Sequence, residues 1–175
     1  ERVDRASLVA RFIEEARAVG VEVTEANGPE AAQDILLDWI GDERRVIAWA
    51  AEHMPLPGLA AFFTERSIET TSEPDSAVTV GIKGADAALA ATGSLILLSG
   101  AARPRSASLL PDTHIAIVNR AQILPNLEAW AAQHADRVRK VSNVVIITGP
   151  SRTADIGMEL VMGAHGPRQL KVLLV

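Results

Sequence analysis

The amino-acid sequence predicts an α/β layer fold with parallel strand pairing, on three observations. Helix-like and strand-like patterns alternate through the first 65 residues, the order expected of a sheet covered by helices. Short apolar runs separated by Gly81, Gly84, Gly93 and Gly100 follow, as packed strands and tight turns require. The 48% apolar content includes only 3% aromatics and no Tyr, so the core is built from Ala, Val, Leu and Ile. At 175 residues the chain fits one domain, residues 1–175, with enough length to bury a sizeable core.

Leu8, Val9, Phe12, Ile13, Ala16 and Val19 recur at helical spacing from Ser7 to Val19, and Gly20 stands at the expected stop. Val21–Thr24 alternates like a short strand. Asn27-Gly28-Pro29 then supplies a helix start with proline at the first helical position. Ala32, Ile35, Leu36, Trp39 and Ile40 share the face of that second helix, which Gly41 ends. Arg45–Trp49 predicts a buried strand, Pro57–Glu65 a short helix, and the polar run Thr70–Ser76 a loop. Ala77–Ile82 and Leu95–Leu98 read as strands, whereas the Ala-rich run 85–91 fits a strand or a helical turn equally, and periodicity does not separate them. Ile115–Val118 is a strand, and Pro125 opens a helix whose Leu127, Trp130, Ala131 and His134 share a face. Val144–Ile147 has the composition of a core strand, Ser151–Val161 predicts a helix, and Leu170–Val175 a final strand.

Charge and composition exclude several function classes. A formal charge of −5 and a pI near 5.4 oppose a basic nucleic-acid footprint or a polybasic membrane patch. Zero cysteines remove a disulfide framework, a Cys nucleophile, Cys-ligated zinc and a self-held iron–sulfur cluster. The charged opening Glu1–Arg5 and the shortness of the apolar runs predict a cytoplasmic protein without a membrane span. The four histidines form no HxH or HxxxH pair, so no metal site is expected.

The candidate chemistry sits at turns. Gly149-Pro150-Ser151-Arg152-Thr153-Ala154-Asp155 leads from a predicted strand into a predicted helix start, where Ser151 would cap and free N–H groups would attract phosphate or carboxylate. Arg152 breaks the helix-dipole rule there, at roughly 0.3–1 kcal/mol, and a broken local rule hints at function. The bland alternative is a capped helix. Arg103-Pro104-Arg105 spaces two guanidinium groups on a stiff loop, suited to bidentate anion capture or, more plainly, to surface ion pairs. Thr92-Gly93-Ser94 sets two hydroxyls around a glycine, as an oxyanion cradle or a simple turn. Lys83 is a further cation, and His165 lies in a flexible, small-residue turn where its ring could reach a ligand or act as an acid or base, or more plainly serve the turn.

Taken together, residues 80–94, Arg103-Pro104-Arg105, Ser108–His114, Thr148–Ile156 and Gly163–Pro167 resemble the LUD domain family, which includes the lactate utilisation protein C (LutC/YkgG) group. The resemblance covers about half of the chain closely, residues 80–175. It implies a three-layer α/β/α fold with a mostly parallel sheet, similar to the NagB/RpiA/CoA-transferase group. It also implies support for oxidation of L-lactate to pyruvate beside partner proteins that carry the iron–sulfur clusters, with no cofactor held by this chain. Family members usually carry Glu before the Thr-Gly pair where this chain has Ala91, so chemistry that needs that carboxylate is not available here. The matching positions are therefore expected to bind a small anion, a carboxylate or a phosphate-bearing cofactor, and Arg103, Arg105, Ser151 and His165 to converge on one pocket. The competing expectation is a stand-alone enzyme of acyl/CoA or sugar-phosphate type.

Overall fold

The computed structural model describes residues 4–154, 160–162 and 166–175. Four helices and twelve strands are formed among them. In chain order they are α1 (Arg5–Ala18), β1 (Glu22–Glu25), α2 (Pro29–Ile40), β2 (Arg45–Ala48), α3 (Leu59–Glu65), β3 (Glu69–Thr71), β4 (Val80–Gly84), β5 (Ala87–Leu89) and β6 (Ser94–Leu98). They continue with β7 (Thr113–Val118), β8 (Ile123–Leu124), α4 (Leu127–Val138), β9 (Val144–Ile147), β10 (Arg152–Ala154), β11 (Leu160–Met162) and β12 (Gln169–Leu174). Among the described residues no helix is long and apolar enough to cross a membrane.

Local chemistry accounts for the helices. Asp4 caps α1 by accepting from the Ser7 amide at 3.3 Å, and Asn126 caps α4 through the Ala129 amide at 2.9 Å. Pro29 opens α2 and Gly41 follows its last residue. Ala32, Leu36 and Ile40, four residues apart, are its buried stripe. In α4 only Trp130 of the predicted face is buried, and His134 stacks on it, its Nδ1 3.0 Å from the Trp130 carbonyl.

Two sheets organise the molecule. Six strands form a sheet in the order β1-β12-β7-β4-β2-β3, every neighbouring pair parallel, which fulfils the expected α/β class with helices flanking the sheet. A second sheet, β8-β5-β6-β9, contains antiparallel pairs that the sequence reading did not anticipate. It resolves the 85–91 ambiguity in favour of a strand. Leu95 and Leu97 of β6 pack into the main core, while Ile96 and Leu98 pack against Trp130 of α4. Both faces of β6 are thus covered, which is why its sequence is continuously apolar rather than alternating.

Three expectations are corrected. Val144–Ile147 is an edge strand beside β6, with Ile146 46% exposed, not a core strand. The helix expected over Ser151–Val161 is not formed at its described residues: Arg152–Ala154 and Leu160–Met162 are antiparallel strands in register Arg152↔Met162. A short apolar run fits either period, and the β-branched Thr153 and Val161 favour the strand. The loop expected over Thr70–Ser76 begins later, because Thr70 and Thr71 pair with Val46 and Ile47.

Candidate functional site

The order of the parallel sheet dictates where a ligand site belongs. The chain runs from β1 to β2 and outward to β3, then returns to β4 on the other side of β2 and walks back through β7 and β12. β2 and β4 are therefore neighbours from which the chain departs in opposite directions, and the crevice at their carboxyl ends is the topological switch point where open α/β sheets bind ligands. Trp49 follows β2, its amide bonded to the Ile82 carbonyl at 3.1 Å. Lys83 is near the end of β4.

Lys83 is 2% exposed. Its Nζ donates to Ser108 Oγ at 2.9 Å and lies 5.1 Å from the centre of the Trp49 ring. The Arg103 guanidinium approaches the same ring at 4.6 Å. Burial lowers the Lys83 pKa from 10.5 to about 8, against the opposing pull of Asp86. His114, buried on the neighbouring β7, is pushed down to about 3 by burial and then by the Lys83 charge. It is neutral, and its Nε2 has no hydrogen-bond partner among the described residues.

Asp86 organises the arginine side. Its Oδ1 accepts from Arg103 at 3.0 Å and from Arg137 at 3.1 Å, and its Oδ2 from the Leu98 amide at 2.8 Å. Arg103 is brought back by a tight turn bridged from Gly100 to Arg103. Ala102 in that turn holds φ +56°, a left-handed conformation that costs a non-glycine residue about 1 kcal/mol, and its carbonyl accepts from the Ala50 amide at 3.1 Å. Strain is thus stored beside the recess.

The other wall is the 3-10 turn Arg105–Ser108. It lies directly on β4 at Gly81, where any Cβ would run into the Ala107 carbonyl oxygen. Glycine at 81 lets this turn come down far enough for Ser108 to meet Lys83. The resulting recess of about 20 Å³ is lined by Trp49, Lys83, Arg103, Arg105, Ser108 and Leu109, among others, and has room for roughly one water molecule. Trp49 also lines a cleft of about 490 Å³ together with Thr70, Thr71 and Ser72.

The remaining predicted residues lie elsewhere. Thr92, Gly93 and Ser94 form the turn into β6, and Thr148 to Ser151 leave β9, which pairs antiparallel with Leu95 opposite Ile147. Both turns are at the far end of β6 from Leu98, about 13 Å by strand rise. Among the described residues the recess lining therefore includes Arg103 and Arg105 but not Ser151. Hydroxyls of Thr92, Ser94 and Thr148 form a chain with 2.7 Å links. Gly93 (φ +63°) lies against the Ala16 backbone, where a Cβ would not fit, and Gly149 (φ +82°) turns beside the Val19 carbonyl. Next to Pro150, Arg152 donates to that Val19 carbonyl at 3.1 Å. A cation is thus placed at the C-terminal end of α1, where the helix dipole welcomes it. The apparent breach at Arg152 disappears with the helix that did not form, and so does the helix-start anion site. Ser151 contributes its amide to the Pro167 carbonyl at 2.9 Å. Thr153 pairs with Val161 in the β10–β11 ladder. Asp155 and His165 lie outside the described residues.

Sequence reasoning missed Trp49, and it held Asp86, Ser108 and His114 only within the family-like segments without singling them out as site residues. Nothing in their spacing marks them, since parallel pairing joins Gly81 to His114 and Lys83 to Ala116 across 33 residues.

Comparison with known proteins follows the same lines. The chain is 33% identical over 159 residues to Lactate utilization protein C of Halalkalibacterium halodurans, covering 84% of this chain and 69% of that protein. It is 36% identical over 135 residues to the Bacillus subtilis protein of that name, covering 73% and 53%. The fold is similar to the crystal structure of a DUF162 family protein from Deinococcus radiodurans, with a TM-score of 0.77, 25% identity and 99% of each chain covered. A sequence profile described as LUD domain matches residues 9–175. With a parallel-sheet core like that of a DUF162 protein, and with the profile running through β4, the recess turn and β12, the chain belongs to the LUD domain family.

Proposed function

We propose that this domain serves a lactate utilisation system as a binding subunit that holds a small carboxylate at the Lys83–Arg103–Arg105–Ser108 recess. The observation that carries this reading is an excess of positive charge at the switch point. Lys83, Arg103 and Arg105 line the recess, while the Asp86 carboxylate is already shared between Arg103 and Arg137. Arg105 makes no ion pair among the described residues and stands exposed at the mouth, where a guanidinium offers two parallel N–H donors to a carboxylate. The name of the relatives, Lactate utilization protein C, supplies a compatible ligand class. On this reading oxidation itself falls to iron–sulfur partner proteins, which is compatible with a chain that has no cysteine and carries Ala91 where the family resemblance expects a carboxylate.

Calorimetric titration with L-lactate, pyruvate, nucleotides and CoA esters tests the reading. Saturable binding of the hydroxy or oxo acid, weakened on the order of tenfold by Arg105→Ala, is the expected result. Turnover without partners, or binding indifferent to Arg105, would remove it.

A further inference from the structure

We propose that Lys83 forms a reversible covalent adduct with a short-chain 2-oxo acid, its amine condensing with the ketone while Arg105 takes the carboxylate. The inference rests on the carboxylate reading of the recess and adds a reaction at its floor. Among the described residues Lys83 Nζ has one hydrogen-bond partner, the neutral hydroxyl of Ser108. A lysine retained only to support the fold is normally matched by a carboxylate, yet Asp86, the acid next to it in sequence on this side, directs its oxygens to Arg103, Arg137 and the Leu98 amide. The recess instead brings a buried amine and an exposed guanidinium to one small cavity, the two functions that a molecule with a carboxylate next to a carbonyl would engage.

The environment favours the free amine as nucleophile. With a pKa lowered to about 8, roughly one Lys83 in ten is neutral at pH 7, against fewer than about one in a thousand for a solvated lysine. The Nζ lone pair attacks the ketone carbon, forming the N–C bond and a carbinolamine as the oxygen takes a proton. A second proton, taken from solvent, lets the C–O bond break with release of water and leaves an iminium. Hydrolysis reverses the sequence, and no oxidant or reductant enters. Ser108 Oγ, 2.9 Å from Nζ, is placed to pass the proton from nitrogen towards the departing oxygen. An iminium keeps the positive charge that the Trp49 face accommodates. The reacting carbonyl takes the water-sized space, and the rest of a short ligand lies towards solvent between Arg105 and Leu109, which is 49% exposed.

The chain contains three lysines, Lys83, Lys140 and Lys171, so reductive trapping followed by peptide mapping gives a clear assignment. The intact chain is incubated with pyruvate and sodium cyanoborohydride across pH 6 to 9. One addition per chain on the Lys83 peptide is expected, with yield rising most steeply around pH 8. L-lactate, which has no carbonyl, gives none. Lys83→Arg and Lys83→Met abolish the addition in variants that keep the parent circular dichroism spectrum, and Arg105→Ala lowers its initial rate on the order of tenfold. Labelling spread over Lys140 and Lys171, or unchanged in the Lys83 variants, overturns the proposal. Lactate binding by calorimetry without pyruvate trapping overturns the covalent step and leaves the carboxylate site standing; loss of both overturns the two together.

Discussion

Lys83 is a residue whose environment opposes its charge, and this has a measurable effect on stability. Its folded pKa, about 8, lies below the 10.5 of the solvated group, so the unfolded chain binds the proton more tightly. Below pH 8 both states are protonated and the full penalty, about 3 kcal/mol at most, opposes folding; it fades as pH rises from 8 to 10.5. Lys83→Met is therefore expected to raise the melting temperature at pH 7, with the gap to the parent closing by pH 10.5 in thermal denaturation series. His114 follows the same sign at lower pH. It stays neutral when folded down to about pH 3, whereas the unfolded ring takes a proton below about 6.5, so parent stability falls as pH drops through that window. His114→Phe should flatten this acid limb, and an unaltered slope would show that other groups produce it.

The element scale explains why the motif turns matter apart from any ligand. The turns containing Gly93 and Gly149 seat the C-terminal half of α1, and Arg152 holds its end through the Val19 carbonyl. Gly93→Ala adds a side chain against the Ala16 backbone at a positive φ, and a loss of about 2 kcal/mol or more is expected in urea titration. Arg152→Ala should cost about 0.3–1 kcal/mol. Ser151→Ala should stay within about 0.5 kcal/mol of the parent, since no helix begins there for its hydroxyl to cap. A loss near 1 kcal/mol at Ser151 would contradict this assignment of roles. Helices with full amphipathic stripes, α1 and α2, were legible in the sequence to within a few residues. The segment after Pro150 was not, because a three-residue strand carries too few residues to reveal its period.

At the scale of the whole molecule, the fold turns a modest local cluster into a site. Asp86 ties three separate pieces together: Arg103 from the turn after β6, Arg137 from α4, and the Leu98 amide at the end of β6. Asp86→Ala leaves two guanidinium groups and a buried amide without their acceptor. A stability loss of about 3 kcal/mol is expected, together with weaker pyruvate binding, since Arg103 loses its anchor. Retention of both by this variant would mean that Arg103 is positioned by Trp49 alone.

The sequence by itself determined the α/β class, the first two helices, five of the six strands of the parallel sheet (all but β3) and, through Arg103, Arg105 and Lys83, part of the recess. It did so because periodicity, capping residues and charge are local properties. Tertiary structure alone decided that Lys83 and Ser108 meet, that Trp49 and His114 belong to the same neighbourhood, and that the Thr-Gly-Ser and Gly-Pro-Ser turns hold α1 at the opposite end of β6. Those relations depend on the order in which parallel strands are laid side by side, and sequence spacing carries no trace of strand order.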